Sequence, residues 1–139
     1  RTMFDHEMFI KHSRLKGHSK LRNVLLAYGR RDREVQYCQG INYIAALFLI
    51  YMTEEEAFFM LLCVMSRQQA PLRELFLPGM AKAREFNYVM DSLTYKFTPK
   101  LYTHLKRHDI DPTMYAHPWF MTCFTQSFPY DLVTRVWDS

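Results

Sequence analysis

An all-α fold is predicted by three features of this sequence. Apolar residues recur at spacings of three and four from Leu21 to the end of the chain. No stretch alternates apolar and polar residues for the length of a strand. Helix starts are marked by their chemistry, at Thr53 and at the prolines Pro99 and Pro112. The content, 49% apolar and 16% aromatic with only four glycines, is that of a packed domain and not of a disordered segment. A chain of 139 residues is long enough for one core and should bury roughly two thirds of the surface it exposes when unfolded.

The elements follow in order. The stretch "EVQYCQGINYIAALFLIYM", residues 34 to 52, sets a polar knot of Gln36, Tyr37, Cys38, Gln39 and Gly40 before an apolar run that reads as a core helix. Within it Ile44, Leu47, Phe48 and Tyr51 are expected to pack inwards. Thr53 with Glu56 three residues on forms a capping box, and three acids in the first turn favour a helix from about Glu54 to Met65. "SRQQAPLRELFLPG", residues 66 to 79, has two prolines and a glycine and is the predicted joint between two helical lobes, 1–70 and 71–139. A helix over about 80 to 97 carries Phe86, Val89, Met90, Leu93 and Phe97 on one stripe. Thr98 and Asp111 each stand as a capping residue before a proline at the first helical position. Between them "LYTHLKRHD" reads as an amphipathic surface helix. Pro118 should kink or divide the helix after Pro112, and Pro129 should end it.

Composition also bounds the function. Cys38, Cys63 and Cys123 are odd in number and widely spaced, so neither a disulfide framework nor a zinc ribbon is expected, and a reducing, cytoplasmic setting is. The apolar run from Ile41 to Met52 is too short to span a bilayer. Net charge is +4, and residues 1 to 33 hold nine Lys or Arg against Asp5, Glu7 and Asp32. That excess suits an acidic partner or peripheral association with an anionic membrane. The cations are not interleaved with stacking aromatics, so no nucleic acid is expected. Arg1 opens the chain and "RVWDS" closes it within a helical pattern, so the sequence is expected to be part of a longer domain.

Several chemistries find no support. Four scattered glycines cannot build a phosphate-binding or dinucleotide loop, and GxSxG is missing. His104 and His108 are four apart on a predicted helix but lack a third ligand, so they read as solvated and no metal is expected. Cys38 has no flanking signature of a thiol nucleophile and reads as a small buried residue.

Four blocks together resemble a known family: "RT…H…F" at 1 to 9, "LRNVLLAYGRRDREVQYCQGINYIAALFLIYM" at 21 to 52, "EEEAFFMLL" at 54 to 62, and "LYTHLKRHDIDPTMYAHPWFMTCFTQSFPYDLVTRVWD" at 101 to 138. Their order and spacing resemble the TBC domain of Rab GTPase-activating proteins, whose motifs include IxxDxxR followed by Thr and Phe, and YxQG before an apolar helix. The resemblance implies an all-α, two-lobed TBC bundle, here over 1–139 without its N-terminal part.

It also implies a role. In that family the arginine of IxxDxxR and the glutamine of YxQG enter a GTPase's nucleotide site; they match Arg1 and Gln39. Tyr37, Gly40 and Asn42 match positions that support the finger loop, Tyr37 by packing, Asn42 by a hydrogen bond, and Gly40 by leaving room for a partner's backbone. The partner implied is a Rab-family GTPase in its GTP state, on endomembranes, and the chain needs no cofactor of its own because GTP and magnesium sit on the Rab. No independent reaction is expected of this protein. The other reading keeps the fold and the partner but not the catalysis. Met3-Phe4 stands where the family often has Phe-Pro, and Arg33 and Gln36 where it often has Pro and Gly.

Overall fold

The computed structural model describes residues 14–66 and 72–139, and among these described residues there are eight helices, one 3-10 turn and no strand. α1 (Arg14–Arg31) puts Leu21, Val24 and Tyr28 on one buried stripe at helical spacing. α2 (Ile41–Tyr51) packs on both α1 and α3 (Glu54–Ser66), which also pack on each other, and every residue from Ile41 to Leu49 is buried. That explains an apolar run with no polar face. Full burial of Ile41, Ile44 and Leu49 stabilises the fold by about 1.5–3 kcal/mol per side chain. Tyr51, expected inside, is 62% exposed, because the helix ends there and its ring stacks on Tyr130 at the surface instead.

The capping box at Thr53 is formed in full. Thr53 N and Oγ1 donate to Glu56 Oε2 at 2.9 and 2.8 Å, and Glu56 N returns a bond to Thr53 Oγ1 at 3.4 Å. The described part of the proline-rich joint contains a 3-10 turn, Leu72–Leu75. α4 (Ala81–Phe97) then begins behind Gly79 and Met80, both at positive φ.

α5 (Pro99–Arg107) starts at its proline as expected and has no buried residue, as a surface helix should. Thr98, however, does not cap it. Its Oγ1 donates back to Thr94 O at 3.0 Å, closing the end of α4. Two abutting helices compete for one hydroxyl, and the free carbonyls of α4 take it. Asp111 does cap α6 (Pro112–Tyr115): Oδ1 accepts from Thr113 N at 2.9 Å and from its hydroxyl at 2.8 Å.

Pro118 divides the segment as predicted, since α6 stops at Tyr115 and α7 (His117–Met121) restarts after Ala116. Pro129 does not end α7, which has already stopped at Met121. Cys123 and Phe124, at φ 46 and 69, reverse the chain first. Pro129 opens α8 (Tyr130–Trp137) instead. Trp137 closes the fold: its indole N–H donates to Cys123 O at 3.0 Å and its ring meets Phe48 of α2 edge-on, 5.6 Å between centroids.

Candidate finger-loop site

The loop between α1 and α2 carries the polar knot, and it is pinned at both ends. At the first end, Asp32 N donates to Tyr28 O and Gln36 N to Asp32 O, both at 2.8 Å, so the chain leaves α1 in one further turn. The Asp32 carboxylate accepts from Glu34 N (3.3 Å) and Val35 N (3.2 Å) through Oδ1, and from the Tyr28 hydroxyl (3.0 Å) through Oδ2. Arg73, from the 3-10 turn, closes the set. Nε donates to Asp32 Oδ2 at 2.7 Å, Nη2 to Oδ1 at 2.9 Å, and Nη2 also to Glu34 Oε2 at 2.6 Å.

These contacts set the local titration. The Arg73 fork holds the Asp32 carboxyl well below the usual carboxylate range, and Asp32 in turn raises the guanidinium's affinity for its proton. Burial, then the bond to Asp32, pushes the Tyr28 hydroxyl up. The Asp32–Arg73 pair stays ionised at neutral pH, and the Tyr28 hydroxyl keeps its proton.

The second end is Gly40. Its φ of 116 is open only to glycine, and a Cβ placed there would collide with the Met121 carbonyl oxygen and lie 3.1 Å from its carbonyl carbon. The close approach that demands glycine is thus to this chain's own α7, where the sequence suggested room for a partner. Asn42 is buried, and its Oδ1 accepts from Gly40 N at 3.2 Å and from the Tyr37 hydroxyl at 3.4 Å. The bond expected of Asn42 is present. Tyr37 is 57% exposed, so it is tied by its hydroxyl and not by packing.

Between the pins lie Gln36 at φ 53, half-buried Cys38 and exposed Gln39. Gln39 thus projects from the base of a buried helix, and no hydrogen bond to the described residues holds its amide back. Burial pushes the Cys38 thiol up, which suits a packing residue better than a nucleophile. Arg1, the other expected finger, lies outside the described residues.

The other candidates sort plainly. The exposed rings of His104 in α5 and of His108 just beyond its end lie 4.6 Å apart, tilted at 58°, and no group of three metal-ligating side chains gathers among the described residues. No helix among them is long and apolar enough to cross a membrane. Arg73 and Met121 were missed in the sequence, because their partners lie 41 and 81 positions away. Asp32 carried a local signal: an aspartate ending a helix often accepts from N–H groups two and three residues on.

The described residues thus place an exposed amide on a doubly anchored loop, at the mouth of a buried helix in an all-α bundle. The comparisons give the family. Residues 1–139 match the Rab-GTPase-TBC domain, and the chain belongs to that family. It is 41% identical over 122 residues to TBC1 domain family member 1 of Homo sapiens, covering 88% of this chain and 10% of that protein. It is 41% identical over 123 residues to Rab GTPase-activating protein eat-17 of Caenorhabditis elegans, covering 88% and 14%. Over 138 residues it is 39% identical to the Ecotropic viral integration site 5 protein homolog of Homo sapiens, covering 99% and 17%. The chain spans less than a fifth of the length of these three relatives.

Proposed function

We propose that this protein accelerates GTP hydrolysis by a Rab-family GTPase in its GTP state, with Gln39 and Arg1 supplied in trans. The observation that carries the reading is the placement of Gln39, exposed while its neighbours on both sides are fixed. Family membership supports the choice of partner, as does the name of the eat-17 relative.

The chemistry needs these two residue types. As the γ-phosphoryl group departs, negative charge spreads over its oxygens, and a planar guanidinium such as that of Arg1 donates to two of them at once. An arginine supplied in trans is worth on the order of 10³ to 10⁵ in rate. The attacking water must be held in line with the leaving oxygen. The neutral Gln39 amide, with its donor and acceptor side by side, orients that water without competing for its proton. Tyr37, Gly40 and Asn42 support the loop, and the nucleotide and its magnesium stay with the partner.

Phosphate release from a GTP-loaded Rab is timed with the full-length protein, its Arg1→Ala variant and its Gln39→Ala variant. Each substitution is expected to abolish most of the acceleration, Arg1→Ala on the order of 10³-fold or more. An unchanged rate for either one refutes the two-finger mechanism, and binding without acceleration by the wild type favours a partner-binding module.

A further inference from the structure

Arg73 is far from the polar knot in sequence and has no part in the two-finger chemistry. Yet its guanidinium holds the one carboxylate that shapes the chain leading to Gln39. Asp32 accepts five hydrogen bonds, two from Arg73, two from the backbone of Glu34 and Val35 and one from Tyr28. Such saturation leaves the carboxylate a single orientation, and with it the turn over residues 32–36. Gln36 is held there at φ 53, a conformation that a side-chain-bearing residue keeps only when its surroundings over-determine it.

We infer that Arg73, through Asp32, is a positioning residue for Gln39: the clamp sets where the loop carries its exposed amide, while Gly40 on Met121 fixes the other end. The inference rests on the reading of Gln39 as the water-orienting residue. Three observations favour positioning over stability alone. Two of the carboxylate's bonds go to backbone N–H groups of the loop itself. Arg73 adds a third ligand from the loop, Glu34, which is 59% exposed and therefore worth little to stability. Only Gln36 to Gln39 lie between Val35 and Gly40, and Gln36 N itself donates to Asp32 O, so any shift of the turn is passed to the amide. Displacing a catalytic group by 1 Å can cost about 10²-fold.

The test is a double-mutant cycle on the full-length protein, read as single-turnover GTP hydrolysis by a GTP-loaded Rab across a range of protein concentrations. Arg73→Met is expected to lower the limiting rate by roughly 10- to 100-fold while leaving the half-saturating concentration within about 3-fold. Arg73→Lys keeps the charge but loses the fork, and should recover only part of the rate. Tyr28→Phe loosens Asp32 by one hydrogen bond without a cavity and should lower the limiting rate a few-fold, about 3-fold; it serves if Arg73→Met does not fold. With Gln39→Ala already present, either change should cost less than about 2-fold more. An equal loss with and without Gln39 overturns the inference and makes the clamp a matter of general stability, as does no loss at all in folded variants. Gln39→Ala alone at the wild-type rate instead overturns the underlying reading, and the clamp's role with it.

Discussion

Replacing Gly40 by alanine tests the claim that α7 is the seat on which the loop between α1 and α2 rests. Two costs add at this position. The backbone, at φ 116 and ψ −41, lies where a Cβ is strained, for about 2 kcal/mol. The new methyl would stand 3.1 Å from the Met121 carbonyl carbon and 3.3 Å from its Cβ, with the carbonyl oxygen closer still. Relieving that overlap moves the end of α7 by about 1 Å, and overpacking of this kind costs about 2 kcal/mol more. A loss of about 4 kcal/mol in a domain of this size lowers the melting temperature by about 12–16 °C. Gly79→Ala is the control: it also has positive φ, 83, but nothing lies within 4 Å of its added Cβ. It should lose only the backbone cost, about 1–2 kcal/mol or about 3–8 °C. Both are read by circular dichroism at 222 nm during a thermal ramp. If Gly40→Ala melts no lower than Gly79→Ala, the contact with Met121 is not what demands the glycine.

Two further outcomes follow from the charged and thiol groups. Burial pushes the Cys123 thiol up to about 12, whereas Cys63 is exposed, so a maleimide at pH 8 should label Cys63 quickly and Cys123 only on unfolding; equal rates by peptide mass spectrometry would contradict the packing of Cys123. The Asp32 carboxyl titrates lower in the folded chain than in the unfolded one, so the native state holds fewer protons and stability rises with pH through that window. Asp32→Asn should therefore cost about 2 kcal/mol at pH 7, with the gap to wild type closing as pH falls below about 4, by urea denaturation; a gap independent of pH would show that the pair with Arg73 contributes nothing through charge.

Much of the fold was legible because its signals are local. The capping box at Thr53, the aspartate cap at Asp111 and the division at Pro118 each depend on residues within four positions. Thr98 shows where local reading stops. Its hydroxyl could serve either α4 or α5, and only the abutment of the two helices decides for α4. Gln39 and Asn42 could be singled out from the motif, and the Asn42 bond to Gly40 is as expected. The reason for Gly40 could not be read, since Met121 is brought beneath it by packing alone. Arg73 was invisible for the same cause: the pairing of Asp32 with a residue 41 positions on is a property of the tertiary fold.

The most direct test of the central claim is affinity for a Rab loaded with GDP and aluminium fluoride, which resembles the transferring phosphoryl group, against the same Rab loaded with GDP. A residue that acts in the transition state adds affinity only for the first. The full-length protein should bind the fluoride form far more tightly, and Gln39→Ala should lose most of this difference. Equal preference in wild type and Gln39→Ala would show that this amide does not reach the partner's nucleotide.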